Sequence, residues 1–131
     1  MQFVDKYNPT DEEIRQWASI AGELYPCEDW DLIIATPERE ALFLELAATK
    51  TCPNRGTFLR VLYLIVGDAV RTSWRTRSVE HVAGMIGAGR GSGAAEVRLW
   101  ATRSSELVAK PSRFNYTDWC DGGLARRSSD G

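Results

Sequence analysis

The 131-residue chain reads as an all-α, single compact domain of about five helices, either a helical bundle or a short set of α-solenoid-like helix pairs, with an aromatic C-terminal segment docked on it. Three observations predict this. Thr36-Pro37-Glu38-Arg39-Glu40 has the form of a helix start: Thr36 is a side-chain acceptor for an N-cap, and Pro37 has helical φ where no N–H is needed. Thr10-Asp11-Glu12-Glu13 has the form of a capping box. Residues 41–48 (ALFLELAA) and 58–66 (FLRVLYLIV) are too apolar for surface helices and belong at the centre of the molecule.

The elements follow in order. Behind Thr10, Ile14, Trp17, Ala18, Ala21 and Leu24 keep the spacing of one buried stripe, which predicts a first helix stopped at Tyr25-Pro26. Residues 29–35 (DWDLIIA) form a short apolar run that fits a helical or extended linker. A second helix runs from Pro37 to about Thr49, and residues 52–56 (CPNRG) connect it to a third over residues 57–70. Ser78 opens a fourth helix with Val79, Val82, Ala83 and Ile86 on one face, which Gly87 is expected to end. Residues 87–93 then read as a flexible loop. A fifth helix begins near Ala94, with Val97, Trp100, Ala101, Ser104 and Val108 aligned before Lys110-Pro111. Residues 114–120 (FNYTDWC) are too aromatic for a disordered end, so the domain is expected to span residues 1–123, with 124–131 a frayed tail. The helix pairs resemble α-solenoid units only in a general way, because no sequence period supports a repeat.

A chain of this length buries about two thirds of its unfolded surface around one core. Three cysteines (Cys27, Cys52 and Cys120) at wide spacings without a CxxC, and a start lacking an apolar signal region, predict a reducing cytoplasm. The longest apolar run, residues 61–66, is far short of the ~20 residues that span a bilayer, so no membrane is expected. The net charge of −2 hides an asymmetry: residues 1–50 hold eleven acids and four bases, whereas residues 51–131 hold seven acids and twelve bases. Either the halves pair internally or the chain shows a negative face to a basic partner.

Four constellations are candidates for chemistry. Gly89-Arg90-Gly91-Ser92-Gly93-Ala94 matches the G-x-G-x-x-G/A spacing that lets backbone amides approach a pyrophosphate, but with about 40 residues left and helices before it, it reads as a plain connection. His81, the single histidine, would serve catalysis beside a cysteine, Asp68 or Glu80, yet no flanking signature joins them. Glu28, Asp29, Trp30 and Asp31 lack the Gly and distal Glu of a calcium loop. They fit a partner-binding surface better, with Trp30 as an apolar anchor ringed by carboxylates. Arg71, Trp74, Arg75 and Arg77 would suit phosphates and bases, although the pI of about 5.4 lies below the usual nucleic-acid-binding range. The sequence therefore predicts a bacterial-type cytoplasmic interaction module without a cofactor or metal: an inhibitor, immunity-type protein or adaptor that docks a basic protein through Glu28, Asp29, Trp30 and Asp31. The alternatives are a nucleic-acid-binding domain using Arg71, Trp74, Arg75 and Arg77, and a small enzyme using Cys, His and carboxylate groups.

Overall fold

A helix with apolar side chains around most of its circumference must be enclosed by others, and in the computed structural model, which describes residues 1–120, that helix is α4 (Arg55–Arg71). Phe58, Leu59, Val61, Leu62, Tyr63, Leu64, Ile65, Val66, Ala69 and Val70 are all buried along it. It packs against α2 (Trp30–Ile33), α3 (Glu40–Ala48), α5 (Val79–Arg90), α6 (Ala95–Ala109) and α7 (Tyr116–Trp119), while α1 (Asp11–Ala18) leans on α3. The described residues are all-helical, without strands. The five longer helices are those expected, and α2 and α7 are single extra turns.

Local chemistry sets the ends. The capping box at Thr10 forms as read: its hydroxyl accepts from Glu13 N at 3.1 Å, and the Glu13 carboxylate accepts from Thr10 N at 2.9 Å. However, α1 stops at Ala18 and does not reach Tyr25. Asn54, from the α3–α4 connection, donates its side-chain amide to the carbonyls of Trp17 (3.0 Å) and Ile20 (2.8 Å), satisfying the helix end from outside. Gly22 then turns the chain at φ +76°, and Leu24, expected in the buried stripe, is 82% exposed. Thr36-Pro37 does begin a helical segment, but as a 3-10 turn over Pro37–Arg39 that leads into α3. Thr36 makes no side-chain cap to the backbone; its hydroxyl accepts from Arg39 Nη1 at 3.2 Å. Ser78 caps α5 as expected, accepting from His81 N at 3.1 Å.

Gly87 does not end α5, which continues to Arg90. The expected loop over residues 87–93 is therefore helix for its first half and a short turn for its second. The reason is packing: a Cβ at Gly89 would lie 2.7 Å from Trp100 Cζ3, so glycine lets α5 and α6 meet closely. The same device seats the C-terminal segment. A Cβ at Gly67 would lie 2.5 Å from Trp119 Cδ1 and 2.8 Å from Cys120 Sγ, and Trp119 packs edge-on against Tyr63 with ring centroids 5.2 Å apart. The aromatic segment is docked up to Cys120; the expected boundary at 123 and the tail 124–131 lie outside the described residues. Arg55 joins three helices by donating to Ala47 O at the end of α3 (2.8 and 3.1 Å) and to Glu96 at the start of α6 (2.6 Å).

Leu62→Ala should destabilise the domain by about 2 to 5 kcal/mol in urea denaturation, through lost transfer energy plus a cavity; a loss below about 0.5 kcal/mol would show that α4 is not the centre. Gly67→Ala should cost about 1 to 3 kcal/mol by overpacking. Its strain falls on side chains of the docked segment, so hydrogen exchange should quicken at residues 116–120 well before it quickens within α4.

Candidate functional site

The expected partner-binding residues fall on α2 and the turn before it. Glu28 and Asp29 are exposed, but Trp30 is 0% exposed and Asp31 is buried beside Arg60, with Asp31 Oδ2 3.3 Å from Arg60 Nε. The indole cannot be a surface anchor. It lies 4.9 Å from Trp17, 5.6 Å from Phe3 and 5.9 Å from Tyr25, centroid to centroid, and its Nε1 donates to Lys6 O at 3.1 Å. Burial of so much aromatic area outweighs what exposure to a partner would supply, and the one polar atom of the ring finds its acceptor inside the molecule. Asp31 is drawn inward by Arg60, a charge supplied from α4.

The basic segment is dispersed too. Arg77 is buried and donates through Nε to Glu40 and through Nη2 to Ala35 O at 3.1 Å. Trp74 is half-buried against the core, Arg71 is held by Asp68 at 2.9 Å, and Arg75 alone of the four is exposed with no ion pair among the described residues. Arg71, Trp74, Arg75 and Arg77 therefore do not form the open basic and aromatic platform that single strands require.

Sequence reasoning missed Glu40. It is buried, and besides Arg77 it holds His81, whose Nε2 lies 2.7 and 2.9 Å from its two oxygens. The partner of His81 is thus neither Asp68 nor Glu80 nor a cysteine. Glu40 sits three and seven residues before the buried Phe43 and Ala47, so its place on the apolar stripe of α3 was the available signal. An open groove of about 390 Å³ adjoins the cluster, bordered by Leu44, Gly84, Met85 and Ala88. His81 and Glu80 are the titratable groups on its rim beside Glu40, and the lining contains no hydroxyl or thiol. Among the described residues no group of three or more His, Cys, Asp or Glu is placed to hold a metal ion. The thiol of Cys52 is pushed up by burial, and its Sγ lies 3.3 Å from Ala18 O.

One face remains. Val4 is 99% exposed, Leu24 82% and Tyr7 62%, with Ile20 and Met1 also exposed, so five of the nine exposed large apolar side chains among the described residues fall within residues 1–24. Contacts to the buried indoles bring these segments together. Trp17 Nε1 donates to Leu24 O at 3.0 Å, Trp30 Nε1 donates to Lys6 O, and Val4 N donates to the Glu13 carboxylate at 2.9 Å. An open hollow of about 470 Å³ lies among residues 1–7 and Pro26. Asp5 and Lys6 line it together with Met1, whose ammonium lies 3.5 Å from Glu23 Oε1. Hydrogen bonds from Thr10 N and Val4 N hold the Glu13 carboxyl below its ordinary pKa of 4.5.

No protein-family model, no curated protein and no solved structure matches this chain. Its function must be argued from its own surfaces.

Removing one partner of a buried ion pair leaves the other charge uncompensated, so Glu40→Ala should cost about 3 to 5 kcal/mol. His81→Ala, at the exposed edge of the same cluster, should cost no more than about 1 kcal/mol. Chemical denaturation of both variants checks the ranking, which an equal loss would refute. A carboxyl whose pKa is lowered by folding adds stability above its unfolded value and loses it as pH falls through the folded value. The Val4 amide, bound to Glu13, should therefore report an NMR titration with a midpoint below 4.5. A midpoint at or above that value would show that the Glu13 clasp is absent.

Proposed function

We propose that this chain is a non-catalytic protein-interaction module, an inhibitor, immunity-type protein or adaptor, and that it docks through the N-terminal face displaying Val4, Tyr7 and Leu24. The concentration of exposed apolar side chains on that face carries the reading. Monomeric proteins scatter such residues singly, and a cluster rimmed by polar groups marks a surface used by another molecule. The face is also built for the purpose: Trp17 and Trp30 support it from below, so Val4, Tyr7 and Leu24 are presented on a packed base. The basic segment offers no comparable surface, since Arg77 and Trp74 are drawn into the fold.

A photoreactive amino acid placed at Leu24 in the native cell should give a discrete protein adduct that Val4→Asp abolishes. The same group at Thr102, exposed on α6, should give none. Adducts at position 102 with none at position 24, in protein shown by circular dichroism to be folded, would sink the reading.

A further inference from the structure

The glycines of α5 stand in two kinds of surroundings. A Cβ at Gly89 would press on Trp100, whereas a Cβ at Gly84 or Gly87 would meet nothing within 4 Å among the described residues. Glycine inside a helix destabilises it relative to alanine, and at 84 and 87 no contact within the fold requires it. The space they leave opens outward. Ala83, Gly84, Gly87 and Ala88 are exposed together on the face of α5 opposite the buried Val82, Met85, Ile86 and Gly89. Along one edge of this face runs the groove of about 390 Å³ bordered by Ala41 and Leu44 of α3.

Charge marks the two ends of the face. Glu80 and Arg90 are exposed, and neither has an ion pair among the described residues; Arg90 donates one N–H to Ser105 at 2.9 Å and keeps others. Ten residues of helix separate them by about 15 Å, too far to pair within one chain. His81 also lies at the rim, but its ring is held by Glu40 of the same chain. The order of residues is two-fold symmetric about the midpoint between Met85 and Ile86: position 84 answers 87, position 83 answers 88, and Glu80 answers position 91, next to Arg90. An antiparallel copy of α5 laid on this face therefore sets glycine against glycine, alanine against alanine, and Glu80 of each chain beside Arg90 of the other. A partner of unrelated sequence has no need of that symmetry, which selects a second copy.

We infer that the outer face of α5 is a self-association surface, on which a second copy of this chain packs its own α5 antiparallel across Gly84 and Gly87 and covers the groove beside Leu44. With no side chains at the crossing, the two backbones approach closer than the roughly 8–10 Å usual between helix axes, and Ala83 and Ala88 close around them. One helix pair buries less than a standard interface, so the dimer is weak and its population follows protein concentration. The N-terminal face takes no part in this contact.

Sedimentation velocity of the full chain over a concentration series, at low and at high salt, provides the test. The average mass should rise from monomer towards dimer with concentration, and rise less at high salt. Gly84→Gln with Gly87→Gln should give a folded chain of raised melting temperature, because glutamine favours helix, yet weaken dimerisation at least about tenfold, or about 1.4 kcal/mol. Glu80→Arg and Arg90→Glu should each weaken it as well. An equimolar mixture of these two variants should restore it, since both cross-chain pairs then join opposite charges. Circular dichroism checks the fold of every variant. A monomer at all concentrations would overturn the inference, as would a dimer that survives the double glycine substitution or charge variants that do not recover on mixing. Dimerisation lost in Leu24→Asp and kept in the glycine variant would place self-association on the N-terminal face and overturn it equally.

Discussion

The burial of α4 over most of its surface is the constraint from which the rest of the architecture follows. A helix whose apolar residues surround most of its axis keeps only a narrow solvent edge, here along Gly56, Arg60, Asp68 and Arg71, so the other sides need covering elements, and α2, α3, α5, α6 and α7 divide that task. Where a neighbour must come closer than a side chain allows, glycine makes room. Gly67 receives Trp119 and Cys120, and Gly89 receives Trp100 in the adjoining α5–α6 contact. The start of α4 ties layers together: Arg55 closes the carbonyl end of α3 while pairing with Glu96 of α6.

The charge asymmetry of the chain is resolved partly within the fold. Asp31 and Glu40 come from the acidic half, and Arg60, Arg77 and His81 from the basic half. Their pairing places α2 on α4 and the start of α5 on α3. Because a buried charge without its partner is costly, these contacts specify the packing even where a hydrophobic pair would stabilise as well. Acids left without an ion pair among the described residues are spread over the surface, Glu38, Glu80 and Glu106 among them. The exposed Val4, Tyr7 and Leu24 distinguish the N-terminal face from the groove beside His81, whose carboxylate Glu40 is already occupied from within.

Trp30 shows how a surface feature read from sequence changes meaning on folding. Flanked by Glu28, Asp29 and Asp31, it has the composition of a hot spot, yet it lies beneath the face and not on it. With Trp17 it forms an aromatic support whose two ring N–H groups fasten the N-terminal segment and the loop carrying Leu24. The side chains offered to solvent are those these hydrogen bonds position.

Sequence alone determined the helical class, the central place of residues 58–66, the caps at Thr10 and Ser78, and the docking of the aromatic C-terminal segment. Each rests on local rules: capping chemistry acts within one turn, and a run of apolar residues must be buried whatever covers it. Tertiary structure decided the points where a distant group competes with a local preference. The end of α1 was set by Asn54, more than thirty residues away. The persistence of α5 through Gly87 was set by packing of Gly89 on Trp100, against a local tendency of glycine to end helices. Glu40 met Arg77 and His81 across about forty residues of sequence, and Trp30 turned inward because three other aromatic rings lay there to receive it. Spacing along a chain encodes neighbours within a helix, whereas contacts of this range depend on how helices cross, and that is fixed only when the core packs.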